Sequence, residues 1–165
     1  MRRLLFLDVD NVLNTGADKD PDFMNPKHLN ILNALKEELG FEMILSSTWR
    51  LFFDIQTFNK KFLGFGSKHP VEGYTPEPYR LPDADAGDGY LKYMGMSKRG
   101  HEIQQWLDEE ELMPGKNCSI CILDDLERDQ FPGLGKYHVQ PSPRTGLHEG
   151  HVKWVRMCFL KQEKT

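Results

Sequence analysis

The chain has 165 residues and a formal net charge of −4, with 39% apolar and 28% charged residues, values typical of one globular domain with a sizeable core. No apolar run approaches the length of a membrane span, and Met1-Arg2-Arg3 leads straight into a predicted strand, so we expect no membrane partner and no signal peptide. The three cysteines are few and odd in number, and a reducing compartment such as the cytoplasm is the simplest expected setting.

The first predicted element is a buried β-strand over the apolar run Leu4 to Leu7, which ends in two aspartates. Asp8 and Asp10 stand two residues apart, so both side chains are able to converge on one site if the strand ends between them. A charge at the edge of a core is costly unless it is paired or bound to metal. Carboxylates placed there can act as a nucleophile, a metal ligand or a general acid. The alternative is a strand that runs into an Asp/Asn-rich turn.

A helix is predicted from Asn25-Pro26, where an N-cap residue and a first-turn proline coincide, to Leu39, with Gly40 as its C-cap. A second apolar strand, residues 41–45, ends in Ser46-Ser47-Thr48-Trp49-Arg50. Helical spacing then predicts a helix that ends before Gly64. We assign its apolar stripe to the core, namely Leu51, Phe52, Ile55, Phe58 and Phe62.

Residues 64–96 form the least regular part of the chain, with a short third strand predicted at Tyr74-Thr75-Pro76. This stretch is too short and irregular for a folded domain of its own, so we expect a loop or small hairpin near the site. Its acidic residues are interpreted as a solvated loop, because the twelve-residue calcium loop with its terminal Glu is absent. They are Asp83, Asp85 and Asp88.

An amphipathic helix opens at Ser97-Lys98-Arg99-Gly100, and a further buried strand, Cys118 to Leu123, ends in Asp124-Asp125. Cys118 and Cys121 fall within this strand and are interpreted as reduced core cysteines. Three predicted strands therefore end in two acids, in hydroxyls with an arginine, and in two acids, while a cationic pair starts a helix. This pattern favours a magnesium-dependent phosphoryl-transfer site, because carboxylates and phosphate oxygens hold Mg²⁺ and hydroxyls and cations neutralise the remaining charge.

The chain closes with a short strand predicted at residues 136–140 and a helix predicted from Glu149 to Leu160. His148 and His151 lie at the start of this helix, but they do not form a His-Glu-x-x-His motif, so we do not interpret them as a zinc site. The alternation of strands and helices predicts an α/β fold, a three-layer, doubly wound parallel sheet of about five strands.

The order of these motifs resembles that of the haloacid dehalogenase (HAD) superfamily of phosphatases. It is most similar to the HAD domain of Swiss Army Knife RNA-repair proteins and to the phosphatase module of polynucleotide kinase-phosphatases. The segments that carry the resemblance are Leu7-Asp8-Val9-Asp10-Asn11-Val12-Leu13-Asn14, Ile44-Leu45-Ser46-Ser47-Thr48-Trp49-Arg50, Arg99-Gly100-His101-Glu102-Ile103-Gln104-Gln105-Trp106-Leu107, Ile122-Leu123-Asp124-Asp125 and Gly146-Leu147. Asn11 departs from the pattern, because the superfamily usually has Gly there. Asn tolerates left-handed backbone better than most residues.

The resemblance implies a single HAD-like domain over residues 1–165, without a large cap domain, that acts as an Mg²⁺-dependent phosphatase. Asp8 would be the nucleophile that forms an aspartyl-phosphate, and Asp10 would protonate the leaving oxygen and later deprotonate a water. Mg²⁺ would be held by the Asp8 carboxylate, the Asp10 backbone carbonyl and Asp125. Asp124 would orient waters or pair with the cation of the third motif.

The remaining site residues are expected to contact the phosphorylated substrate. Ser46 would donate to a transferring phosphoryl oxygen, and either Arg99 or Lys98 would balance its charge. Ser47, Asn11 and Arg50 are further candidates for substrate binding. For Arg50 the alternative is an exposed arginine on a surface helix.

Three functional classes stay open at this point. The first is a phosphomonoesterase that acts on a nucleic-acid or nucleotide terminal phosphate, with 3′ ends preferred and with RNA- or DNA-repair enzymes as the implied partners. The second is a phosphatase of a small phosphorylated metabolite, and the third is a binding or regulatory domain without catalysis. The complete acidic, hydroxyl and cationic set argues against the third. The sequence leaves the oligomeric state open.

Overall fold

The computed structural model describes residues 1–18, 20, 22–76 and 99–164 of the chain. A five-stranded sheet lies at its centre, in the order β3-β2-β1-β4-β5, and every neighbouring pair is parallel. The prediction of a parallel α/β sheet of about five strands is confirmed. The strands are β1 (Arg2–Leu7), β2 (Glu42–Leu45), β3 (Gly73–Tyr74), β4 (Cys118–Leu123) and β5 (His138–Val139). The helices of the described part are α1 (Pro26–Leu39), α2 (Ile55–Gly64), α3 (Arg99–Glu109) and α4 (Glu149–Gln162).

Two apolar clusters cover the two faces of the sheet and make the fold three-layered. Alternate residues of β1 belong to different clusters: Leu5 and Leu7 to one, Leu4 and Phe6 to the other. The strands are buried on both faces, as expected for a parallel sheet whose crossovers place helices on each side. The first cluster takes its helical residues from α1, α2 and α4, among them Leu29, Leu32, Phe58, Phe62, Val155 and Phe159. The second takes them from α3 and the segment before β5, among them Ile103, Leu107, Phe131 and Leu134.

The strand order brings the carboxyl ends of β1 and β4 side by side. From β1 the chain builds outward to β2 and β3, then returns to the other side of β1 with β4 and β5. Leu7 is aligned with Leu123 in the β1–β4 pair, and the backbone N–H of Asp8 donates to the Leu123 carbonyl at 3.0 Å. This is the point where the order of a doubly wound sheet reverses, and ligands of such folds bind outside the strand ends there.

The limits of α1 follow the predicted caps. The Asn25 side chain accepts from the backbone N–H of Lys27, and Pro26 occupies the first turn, where no amide hydrogen bond is lost. At the other end Gly40 adopts a left-handed conformation with φ 64°, and its N–H donates to the Lys36 carbonyl. The capping residues Asn25 and Gly40 therefore determine where α1 begins and where it ends.

The predicted helix over residues 51–62 is wrong at its start. Residues Thr48–Leu51 form a short 3₁₀ turn, and α2 begins only at Ile55. The cause is local, because the Asp54 carboxylate accepts from the backbone N–H of Thr57 and caps the helix there. Leu51 and Phe52 therefore lie outside the apolar stripe, and Phe52 is 78% exposed.

Other bounds differ from the predictions by a few residues. β3 is Gly73–Tyr74 instead of residues 74–76, and β5 is His138–Val139 instead of 136–140, because residues 135–137 form a 3₁₀ turn. Cys118 and Cys121 are buried free thiols, as predicted. The predicted acidic loop at residues 83–88 and most of the predicted insertion fall outside the described residues. Within the described ranges, no helix combines the length and apolar character that a bilayer crossing requires.

Candidate active site

Asp8 stands at the first position after β1 and is almost fully buried. Its carboxylate lies 3.5 Å from a terminal nitrogen (Nη1) of Arg99, and the Ser47 hydroxyl and the Val9 backbone N–H are donors near it. Burial raises the pKa of this carboxyl above its usual value, and repulsion from Asp124 raises it further, while Arg99 and Ser47 oppose both effects. The stability of the ionised Asp8 carboxylate therefore depends on Arg99 and on the donors around it.

Asp10 lies two residues further on, in a different kind of environment. The indole N–H of Trp49 donates to both of its carboxylate oxygens at 3.1 Å, and the Asn14 amide donates to Oδ1 at 3.1 Å. These donors are neutral and fix the carboxylate's orientation. The turn between Asp10 and Asn14 needs left-handed backbone at Asn11, whose φ is 60° and whose N–H donates to the Asn14 side chain at 2.7 Å.

The hydroxyls of the two serines that follow β2 have different surroundings. The backbone N–H of Ser46 donates to the Leu7 carbonyl at 2.8 Å, which places Ser46 beside the end of β1. The Ser47 hydroxyl accepts from the Trp49 backbone N–H at 3.4 Å and lies near the Asp8 carboxylate. Within the described residues the Ser46 hydroxyl is buried and has no hydrogen-bond partner. A buried hydroxyl without a partner is costly, so this donor is available to a ligand oxygen.

Arg99 begins α3 and reaches both neighbouring strand ends. Its Nη1 lies 3.5 Å from Asp8 Oδ1 and 3.4 Å from Asp124 Oδ2. The residue after it, Gly100, allows the first turn of α3 to lie against the segment before β5, because a Cβ there would come within 2.6 Å of the Phe131 Cα. The arginine reaches the site because the following residue has no side chain. Lys98, the alternative third-motif cation, lies outside the described residues.

Arg50 is buried, so the alternative of an exposed surface arginine is wrong. Its guanidinium lies 2.9 Å from the Glu102 carboxylate and donates to the Ser47 carbonyl at 2.6 Å. Glu102, in the first turn of α3, is also 3.7 Å from Nε of Arg99. Glu102 thus joins the two arginines, and the contact of Arg50 with a substrate phosphate stays a prediction.

Three carboxylates converge at the ends of β1 and β4. One oxygen from each of Asp8, Asp124 and Asp125 lies within 4.8 Å of the others. Asp125 accepts from the Asn11 amide at 2.9 Å, and one oxygen of Asp124 accepts from the Leu126 backbone N–H at 3.0 Å. The other Asp124 oxygen is buried and has no hydrogen-bond partner among the described residues.

This cluster fits a hard divalent cation. Burial raises the pKa of Asp124 as well as that of Asp8, and Asp125 adds to the repulsion at Asp124. Arg99 is the cation within 4 Å of these acids among the described residues. One guanidinium does not neutralise three carboxylates, and oxygen ligands of this kind are those that Mg²⁺ prefers. The residues present therefore suit the ion that the motifs imply.

The structure brings most of the predicted set together. The end of β1 is surrounded by Asp8, Asp10, Asn11, Ser46 and Ser47. On the other side of the site lie Asp124 and Asp125 at the end of β4 and Arg99 at the start of α3. Sequence reasoning missed three residues that hold this set in place: Trp49, Asn14 and Glu102. All three lie inside the quoted motifs, and Glu102 stands three residues after Arg99 on one helix face. Their positions within the motifs, and the i,i+3 spacing of Glu102 from Arg99, are the sequence features from which these roles were predictable.

The histidines of the third and last motifs have local roles. His148 and His151 form reciprocal side-chain to backbone bonds that cap the start of α4. His101 is exposed on α3. Neither observation supports a zinc site.

The parallel sheet, the acidic strand ends and the α3 arginine together define a hydrolase of the haloacid dehalogenase type. The profile of one family, described as the HAD domain in Swiss Army Knife RNA repair proteins, matches residues 4–152. The chain belongs to this family. No curated protein and no solved structure matches it.

Proposed function

We propose that the protein is a Mg²⁺-dependent phosphomonoesterase that works through an aspartyl-phosphate on Asp8 and removes terminal phosphates from nucleic acid or nucleotides. The observation that carries the proposal is the buried Asp8 carboxylate, which faces Arg99, the Ser47 hydroxyl and two further acids. Mg²⁺, held by the carboxylates of Asp8 and Asp125 and the backbone carbonyl of Asp10, would supply positive charge beside the phosphoryl oxygens.

In the first half-reaction an Asp8 oxygen attacks the phosphorus atom, and the bond from phosphorus to the ester oxygen breaks. The leaving alkoxide takes a proton from the Asp10 carboxyl, so the products are an alcohol, the aspartyl-phosphate and an Asp10 anion. Trp49 and Asn14 orient Asp10 for this transfer. Ser46 donates to a phosphoryl oxygen, and Arg99 offsets its negative charge.

In the second half-reaction a water attacks the phosphorus atom of the aspartyl-phosphate. The Asp10 anion accepts a proton from this water as the bond to the Asp8 oxygen breaks. Inorganic phosphate leaves, Asp8 is again a carboxylate and Asp10 is again protonated. The same side chain acts first as acid and then as base, so Asp10 requires a stable orientation in both protonation states.

The family description supports a nucleic-acid end as the substrate, and we favour 3′-phosphates. We further propose that the protein works beside other RNA- or DNA-repair enzymes in a reducing compartment such as the cytoplasm. The free, buried Cys118 and Cys121 agree with such a compartment.

A panel of phosphorylated substrates tests the proposal. We expect kcat/KM in the presence of Mg²⁺ to be highest for a 3′-phosphorylated oligonucleotide, lower for the 5′-phosphorylated form and for mononucleotides, and lowest for sugar phosphates. A sugar phosphate preferred by a factor of about ten or more would instead identify a metabolite phosphatase. Full activity in excess chelator would contradict the metal dependence.

A further inference from the structure

A groove of about 900 Å³ lies beside β5, outside the acidic site. Its walls are the outer side of β5, one side of α4 and the turn that precedes β4, which includes Pro114, Gly115 and Lys116. The groove exists because β5 has two residues and β4 has six, so the sheet is one strand narrower at the amino end of β4 than at its carboxyl end.

At that narrow end α4 takes the place of the missing strand. Gln162 accepts from the Ile120 backbone N–H at 3.0 Å and donates to the Ile120 carbonyl at 2.7 Å. The β4 edge is therefore satisfied without a neighbouring strand, and the space beside it stays open as part of the groove. The groove therefore follows from the different lengths of β4 and β5 and from the position of α4.

The charge of the groove is opposite to that of the whole chain. Four exposed cations line it, Lys116, Arg128, Lys136 and Lys161, and the described lining residues include no Asp or Glu. The chain as a whole carries a net charge of −4. Such a local reversal of sign attracts a polyanion along the groove.

Aromatic surface accompanies these cations. Trp154 of α4 lines the groove and is 49% exposed. The Lys136 ammonium lies 4.9 Å from the centre of the Tyr137 ring, but that ring is buried, so the stacking surface is that of Trp154. Cations that follow a backbone, interleaved with aromatic faces on which bases stack, are the features of surfaces that bind single-stranded nucleic acid.

The groove approaches the acidic site at the carboxyl end of β5. Gln140, at the carboxyl end of β5, lines the groove and donates to the backbone carbonyl of Asp125 at 3.0 Å. His138 lines it too, and its Nε2 lies 2.8 Å from the Asp124 carbonyl. Lys116 marks the other end, beside the start of β4. The six residues of β4 separate the two ends by about 17–20 Å, which is long enough for a few nucleotides.

From these observations we propose that the groove beside β5 binds the single-stranded body of the nucleic acid whose terminal phosphate enters the acidic site. This inference rests on the proposed function for the identity of the site, and it adds a separate docking surface with its own residues. The strand would lie along α4 and reach the site past Gln140.

Binding without hydrolysis is the first test. The probe is a fluorescent oligouridylate of about twelve nucleotides that ends in a 3′-hydroxyl, measured by anisotropy over a range of salt. We expect Lys116→Ala/Lys136→Ala to raise Kd about tenfold at low salt and to reduce the salt slope by about 1.4, since each phosphate contact contributes about 0.7. Trp154→Leu should raise Kd about fivefold or more through the lost stacking.

The control is Lys27→Ala/Lys60→Ala, which removes the same charge from exposed positions of α1 and α2 that do not line the groove. It should leave Kd and the salt slope nearly unchanged. An equal effect of both pairs would overturn the proposal, because a uniform effect of net charge needs no groove. Displacement of the probe by polyglutamate as readily as by unlabelled oligouridylate would overturn it as well, in favour of an acidic protein partner.

A kinetic test separates this inference from the proposed function. If both hold, Lys116→Ala/Lys136→Ala raises KM for a 3′-phosphorylated oligonucleotide and leaves kcat and KM for a nucleoside 3′-phosphate unchanged. Oligonucleotide binding through the groove without phosphatase activity would support the docking surface and contradict the proposed function. Phosphatase activity with equal KM in the variant and the parent protein would overturn the docking surface alone.

Discussion

The two aspartates of the first motif lie two residues apart but in different surroundings. Around Asp8 the neighbours are charged: Arg99 and Asp124 lie within reach, and Glu102 connects Arg99 to Arg50. Around Asp10 the donors are neutral, an indole and an amide. The difference matches the two tasks proposed for these residues.

A nucleophile has to stay an anion in a buried place, and that requires compensating charge. A proton carrier has to be oriented in both protonation states, and neutral donors do not penalise the neutral acid as strongly as a cation would. Under the proposed mechanism, the charged surroundings of Asp8 would determine its reactivity, and the neutral surroundings of Asp10 would determine its orientation. The predictions that follow test this division, from the largest expected effect to the smallest.

Loss of the nucleophile should have the largest effect. Asp8→Asn keeps the size of the side chain but removes the attacking oxygen anion, so we expect turnover to fall to the background rate. Steady-state assays of the purified variant, with circular dichroism to verify folding, measure this. Residual activity near that of the parent protein would show that Asp8 is not the nucleophile.

Loss of proton transfer should cost less. Asp10→Asn retains an acceptor oxygen for Trp49 but no longer donates or takes up a proton, so we expect kcat to fall by about 10²–10⁴-fold. A substrate with a good leaving group, such as a nitrophenyl phosphate, needs no proton from Asp10 and should recover part of the rate of the first half-reaction. An equal loss for good and poor leaving groups would argue against the assignment.

The two acids after β4 should differ in their response to metal. Asp125→Ala is expected to weaken Mg²⁺ binding and activity together, by about 100-fold at low Mg²⁺, because a ligand oxygen is lost. Asp124→Ala should also disturb Arg99, which lies 3.4 Å away. Titration of activity and of bound metal separates them. If added Mg²⁺ rescues the Asp124 variant but not the Asp125 variant, the assignment of the metal ligand is reversed.

The buried charge network should affect both stability and phosphate binding. Glu102→Gln leaves two arginines without their shared anion, and removal of one member of a buried pair costs about 3–5 kcal/mol of unfolding free energy. We also expect about tenfold weaker inhibition by inorganic phosphate, since Arg99 loses one of its anchors. Glu109→Gln, an exposed site on the same helix, is the matched control and should change neither quantity. A loss of stability with unchanged phosphate inhibition would make Glu102 purely structural.

The smallest effect is expected for a substitution among the neutral donors around Asp10. Trp49→Phe keeps most of the packing but removes the N–H donor to Asp10, so we expect kcat to fall by about three- to tenfold with little change in KM. A change in KM without a change in kcat would place Trp49 in substrate binding instead.

The sequence predicted those parts that depend on local signals. Buried apolar runs identified β1, β2 and β4, and the cap residues Asn25 and Gly40 determined both ends of α1. The convergence of Asp8 with Asp124 and Asp125 was predictable too, because carboxyl ends of parallel strands meet at one edge. These features need no knowledge of which distant side chains pack together.

Features that depend on distant partners were not predictable. The predicted start of α2 was wrong, because an apolar spacing alone does not indicate that Asp54 caps the helix and delays its start by four residues, from Leu51 to Ile55. Arg50 was interpreted as a substrate contact with an exposed surface position as the alternative, and its partner in the structure, Glu102, lies on another helix. The groove beside β5 was missed because the predicted last strand, residues 136–140, would have been longer than the observed His138–Val139.

The short last strand also has a consequence for self-association. Unpaired N–H and C=O groups on a strand edge can pair with a strand of another molecule, the usual first step of edge-to-edge aggregation. At Ile120 the amide side chain of Gln162 occupies both groups, so α4 blocks strand addition at a position of β4 that β5 does not cover. At Cys118, where β4 begins, the Gly115 backbone N–H donates to the carbonyl at 2.8 Å. An apolar residue such as Leu at this position would preserve the packing of the helix and would expose a template for a second chain. A single glutamine at the end of the last helix thus keeps a short sheet edge closed.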